Sequence, residues 1–158
     1  MLGFIYKNEK KELIKKLEYY GITELPFLLS ISGKEKIRGY SGILSTDEII
    51  NLNKEIGIDL TGVYLFHIHG DDVRISFDAV QLLKNQITKN IIEITDKQAE
   101  DYMKGHDILL MKEDEEKFKK TSETKGFKII KNRDDILGTG KYVEGRIVNY
   151  MPKERRTH

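Results

Sequence analysis

The chain has 158 residues, 39% of them hydrophobic and 34% charged, with a formal net charge of +1. That is the size of one ordinary domain, or of two very small ones sharing a core, beneath a densely ionic surface. The lack of cysteine excludes disulfide staples and thiolate metal sites and fits an intracellular protein.

No stretch approaches the ~20 apolar residues that span a bilayer. The segment from Met1 to Lys11 has neither the apolar run nor the small-residue cleavage site of a signal peptide. A cytoplasmic location without membrane association is therefore expected.

In chain order, Asn8 to Tyr20 reads as a helix, with Leu13, Ile14 and Leu17 on one stripe and Gly21 as the stop. Pro26 forces an extended entry to Phe27-Leu28-Leu29, and Ile37 to Ile43 reads as an irregular strand. Ser45-Thr46-Asp47-Glu48 is a capping-box signature opening a short amphipathic helix that closes near Gly57. Val63 to His69 and Val73 to Ser76 flank a Gly/Asp turn and make a hairpin, followed by a brief helix from Phe77 to Lys84. Ile91 to Ile94 is β-like, and Thr95 with Gln98 caps another short helix that Gly105 ends. Asp107 to Met111 reads as a strand, and Lys112 to Lys125 as a loop or solvated helical turn. A β-meander closes the series: Gly126 to Lys131, Ile136 to Tyr142 and Arg146 to Tyr150, separated by tight turns. The best boundary lies between Leu83 and Lys89.

Charge is unevenly distributed. Residues 125–158 hold nine Lys/Arg and four Asp/Glu, a balance of +5, which leaves −4 for residues 1–124. A basic segment on a mildly acidic body points to a polyanion on one side of the molecule. The basic residues Lys128, Lys131, Arg133, Lys141, Arg146, Lys153, Arg155 and Arg156 are interleaved with Phe127, Tyr142 and Tyr150. Such cations neutralise phosphates, and exposed rings stack on unpaired bases. The alternative is that the rings pack inward and the lysines are merely solvated.

Other constellations are weaker. His67 and His69 alternate on a strand and so share a face, with Asp71 at the same spacing, but His106 and His158 lie too far along the chain to complete a metal site. They read as polar-face residues, and no metal is assigned. Gly138-Thr139-Gly140-Lys141 is not a phosphate loop, because Asp135 and Tyr142 stand where that motif needs glycine and Ser/Thr. Two glycines in a strand instead permit a bulge or a close backbone approach. No nucleophile elbow and no glycine-rich cofactor strand is present. No catalytic residue and no cofactor are assigned.

Gly126-Phe127-Lys128-Ile129-Ile130, Leu137-Gly138-Thr139-Gly140-Lys141 and the run from Gly145 through Asn149-Tyr150-Met151-Pro152-Lys153-Glu154-Arg155-Arg156 together resemble the C-terminal PUA-like region of Sun-family RNA 5-methylcytosine methyltransferases. Gly62 to Phe66, Ile75 to Ala79, Asn90 to Ile94 and Tyr102 to Asp107 extend the resemblance, which runs from about Leu60 to Arg156. The family's catalytic domain, with its two cysteines, has no counterpart. The resemblance implies an RNA-binding relative without methyl-transfer chemistry.

The expected fold is α+β: an α/β N-terminal domain over residues 1–86 packed on a PUA-like RNA-binding pseudo β-barrel over residues 87–158. The expected function is RNA binding, of rRNA or tRNA, as an accessory in RNA processing, modification or ribosome biogenesis beside an RNA-modifying enzyme. Lys141, Arg146, Lys153, Arg155 and Arg156 are assigned to phosphates and Tyr150 to base stacking. The alternatives are a module docking an acidic protein, or the non-catalytic RNA-binding subunit of an RNA methyltransferase.

Overall fold

The computed structural model describes residues 2–121 and 124–158. Helix α1 (Lys7–Leu17) turns Leu13 and Leu17 inward, and a 3-10 turn over Glu18–Tyr20 extends it. Gly21 ends it in the left-handed region at φ 93°. A side chain there would be both strained and blocked, since a Cβ would lie 2.3 Å from Thr88 Oγ1. The front sheet follows chain order: β1 (Gly3–Phe4), β2 (Leu28–Ser32), β3 (Lys36–Tyr40), β4 (Val63–His69) and β5 (Asp72–Ile75). All of its neighbours are antiparallel. Helix α2 (Thr46–Ile56) links β3 to β4 and starts with the expected capping box, in which Ser45 and Glu48 satisfy each other's backbone N–H groups. Helix α3 (Phe77–Leu82) follows β5, and Ser76 caps it by accepting from the Ala79 N–H at 3.1 Å.

One irregularity interrupts this sheet. Ile37 pairs with Phe66 but Arg38 pairs with Tyr64, so Leu65 is an extra residue in β4. A one-residue bulge inverts the alternation of side chains. Tyr64 therefore shares the face of His67 and Arg74: Arg74 Nη2 lies 3.5 Å from the Tyr64 hydroxyl and 3.4 Å from His67 Nδ1. The bulged Leu65 fits over Gly39, where any Cβ would come within 2.4 Å of Leu65 Cδ1.

The back sheet is built differently. Its strands are β6 (Ile91–Glu93), β7 (Ile108–Leu109), β8 (Phe127–Asn132), β9 (Asp135–Val143) and β10 (Arg146–Asn149), in the order β6-β8-β9-β10-β7. β6 runs parallel to β8 and the other pairs are antiparallel. The β9–β10 turn has positive φ at both Glu144 and Gly145, the geometry of a type I′ hairpin. Helix α4 (Asp96–Met103), capped by Thr95 and Gln98, covers the sheet. Its Tyr102 is fully buried and donates to the Thr139 carbonyl at 2.8 Å. Gly138 makes room for that ring, since a Cβ would stand 2.5 Å from the hydroxyl. The sheet curls over a core of Ile92, Ile94, Tyr102, Ile108, Phe118, Ile130, Ile147 and Met151. The chain is α+β, with a PUA-like pseudo-barrel in its C-terminal part.

Two local expectations are refined. Of the two readings of Lys112 to Lys125, loop or solvated helical turn, the helical one holds and runs further than a turn: α5 (Lys112–Thr121) spans most of the stretch, while residues 122 and 123 lie outside the described residues. Phe118 docks in the back core against Tyr142, ring centroids 5.1 Å apart, and the Tyr142 hydroxyl donates to Glu115. One buried ring and an i,i+4 Glu115–Lys119 pair at 3.0 Å anchor a helix too polar to show periodicity. The strand expected from Asp107 to Met111 shrinks to Ile108–Leu109.

The larger core belongs to the front sheet with α1 and α3, and it takes Phe127 and Ile129 from β8. The opposite face of β8 sends Ile130 to the back core. One strand thus feeds both cores. Among the described residues no helix is long and apolar enough to cross a membrane.

Candidate nucleic-acid interface

In the β9–β10 ribbon Lys141 sits opposite Val148 and Arg146 opposite Val143. The period-2 geometry therefore puts Lys141 and Arg146 on one face. Lys141 Nζ lies 5.0 Å from the Phe127 ring centroid, and Arg146, at the turn end, reaches Asp107 at 3.5 Å while staying exposed. Tyr150 continues the strand, its N–H donating to Thr139 O at 3.3 Å. Its ring meets Phe127 edge-on at 5.4 Å, and the Arg74 guanidinium lies 4.9 Å from its centroid. Tyr150 is thus half-buried at the junction of the two sheets, while Phe127 is buried outright.

Pro152 leads into a 3-10 turn over Lys153–Arg155, which keeps these cations against the body of the protein. Lys153 is exposed. Arg155 bridges to the front part, 3.2 Å from Asp78 Oδ1 with its guanidinium 5.4 Å from the Phe77 ring. Arg156 turns the other way: its Nε donates to Met151 O at 3.2 Å, and its side chain lies over Gly105, where a Cβ would be 2.4 Å from Nε. The structure gathers Lys141, Tyr150, Lys153 and Arg155 along the seam between the sheets, extends that face to Arg146, and sends Arg156 to the end of α4.

Lys128 is not part of any surface. It is completely buried, and its Nζ donates to the Tyr19 hydroxyl at 2.7 Å and to Asn90 Oδ1 at 3.0 Å. A buried ammonium needs such partners. The basic excess of the C-terminal segment therefore overstates by one the charge that it can show to a polyanion. Arg133, also basic in that segment, is held by Asp96.

The side chains that sequence reasoning missed come from the front part. Arg74, opposite His67 in the β4–β5 pairing, joins Tyr64, Phe77 and Asp78 in facing Tyr150 and Arg155 across a cleft of about 500 Å³. The sequence did signal the His67/His69 face. The rings lie 4.2 Å apart, His67 Nε2 is 3.0 Å from Glu35, and the His69 ring meets that of Phe127 at a tilt, centroids 5.4 Å apart. Burial first, then the charges of His67, Arg74 and Lys141, hold the His69 pKa below its ordinary value, with Glu35 opposing. Among the described residues no group of three or more His, Asp or Glu is placed to hold a metal ion. Gly140 lies in mid-strand, where a Cβ would meet Ile147 Cγ2 at 2.5 Å, which is the close approach expected of its motif.

A curled sheet of this order, capped by a helix and carrying a cationic ribbon, is of the PUA-like class. Residues 89–157 match the family model described as the PUA domain of methyltransferase RsmF. That segment is similar to the PUA domain of these methyltransferases. No curated protein matches the chain.

Proposed function

We propose that the protein binds structured RNA, rRNA or tRNA, in the cytoplasm, as a non-catalytic accessory to an RNA-modifying enzyme. The observation that carries this reading is the row of cations along the PUA-like edge: Lys141, Arg146, Lys153 and Arg155, with Tyr150 among them. Lys153 is exposed, and among the described residues Arg146 and Arg155 each pair with one carboxylate, at 3.5 Å and 3.2 Å. Phosphates would outcompete such exposed pairs, which are individually weak. Arg156 belongs to the same C-terminal cluster, but its contacts favour a supporting role. Residues 1–86 and 87–158 are read as two domains that share a core, with the first bracing the second.

The reading is tested by measuring affinity for RNA against salt. For single strands the logarithmic slope is about −0.7 per phosphate neutralised. Replacing Lys153 and Arg155 by alanine should weaken binding to all RNAs alike and flatten the slope by roughly one to two units. The melting temperature should barely move, because the Arg155–Asp78 pair is exposed. An unchanged slope would remove these two residues from the interface. Capture of an acidic protein with no RNA affinity at any salt would replace the reading by a docking role.

A further inference from the structure

We propose that the cleft between the β4–β5 hairpin, α3 and the chain after β10 holds one unstacked nucleobase of the bound RNA; this rests on the RNA-binding reading above. The cleft measures about 500 Å³, inside the ~300–1,000 Å³ span of small-ligand sites. Its walls include the rings of Tyr64, Phe77 and Tyr150 and the guanidinium groups of Arg74 and Arg155. These are the flat surfaces on which unpaired bases stack.

The charges favour a base over a phosphate. Arg74 and Arg155 are balanced in the lining by Asp78 and Glu154, and Asp78 already engages Arg155 at 3.2 Å. A phosphodiester anion entering such a neutral pocket would meet two carboxylates. A heterocycle edge, carrying both donors and acceptors, finds complements to both. The phosphates on either side of that base have their own partners, because Lys153 sits between the lining residues Pro152 and Glu154, and Lys141 lies 5.0 Å from the Phe127 ring that Tyr150 abuts. The wall is also built deliberately. Only the bulge at Leu65 turns Tyr64 to the Arg74 side of the strand, and bulges concentrate where a side chain must be re-aimed. Four of these groups, Tyr64, Arg74, Phe77 and Asp78, lie outside the matched segment 89–157. The base site is thus assembled by both parts of the chain.

The test uses the intact protein and a short single-stranded oligoribonucleotide with 2-aminopurine at each position in turn. The chain has no tryptophan, so the probe is read without background from that residue. At one position the probe fluorescence should be quenched on binding, and an abasic site there should weaken binding roughly tenfold. Tyr64→Ala should cost about the same factor and Tyr64→Phe, which keeps the ring, should not. The abasic comparison uses unaltered protein and stands even if Tyr64→Ala misfolds. Salt-dependent RNA binding with no quenched position and no abasic penalty would overturn the base site and leave the RNA reading intact. No RNA binding at any salt would remove both.

Discussion

The two sheets have five strands each and teach opposite lessons. In the front sheet every hydrogen-bonded neighbour is also the next strand in the chain, so local signals suffice: a hairpin turn, a capped helix, a glycine stop. In the back sheet the central meander is local but both edges are not. β6 pairs in parallel with β8 across α4, β7 and α5, and β7 joins the far side of β10. The back sheet also leans on the front one, because Phe127 and Ile129 of its β8 pack in the front core. A PUA-like domain whose best-buried strand is shared cannot be treated as a separate body carrying a separate surface.

That interdependence is open to attack at β8. Phe127→Ala should cost about 3–5 kcal/mol and lower the stability of both sheets together. Denaturant unfolding followed by one probe in each part should still give a single shared transition. Two separated transitions would mean that the parts are independent and merely touch.

A smaller effect is expected at Lys128. Its ammonium is held by Tyr19 and Asn90, and Asn90 adopts φ 56° and also donates to the Tyr19 carbonyl. Asn90→Gly tolerates that backbone while deleting the amide, so the loss reports the side chain. A cost of roughly 1.5–3 kcal/mol is expected, the range for hydrogen bonds to charged groups. A change near zero would show that Asn90 is not what stabilises the charge at the seam.

The smallest effect concerns pH. The folded protein holds the His69 pKa below its ordinary value of 6.5, through burial first and then through His67, Arg74 and Lys141. The unfolded chain therefore binds that proton more readily. The histidine's contribution is complete above its unfolded pKa and is lost as pH falls through the folded one. Melting temperature should decline slightly from neutral pH into mild acid, and less so in His69→Gln. An identical decline in the variant would assign the dependence to other groups.

The legible features were those written in side chain–backbone reciprocity or strict alternation. Ser45/Glu48 and Thr95/Gln98 cap the helices that their spacing announces, and His67 and His69 share a face as the period of a strand requires. α5 was legible only as one of two readings, because a single buried ring, Phe118, docks an otherwise charged segment. Lys128 lies in the apolar run Phe127–Ile130, and that position is the one hint of its burial; composition alone made it look like a surface cation. The candidate site was half legible. Its cations and Tyr150 were visible on the meander, but Arg74, Tyr64, Phe77 and Asp78 join them only through the packing of the two sheets, and the bulge that turns Tyr64 leaves no mark in the alternation of the sequence.

The proposed RNA path runs along the seam between the PUA-like edge and the β4–β5 hairpin. Ultraviolet crosslinking in the native cell, with sequencing of the bound RNA and mapping of the crosslinked peptides, tests it most directly. Recovery of rRNA or tRNA is expected, with crosslinks in the peptides holding Lys141 to Arg155 and Tyr64 to Asp78. Crosslinks confined to α2 or α5, or no recovered RNA, would contradict it.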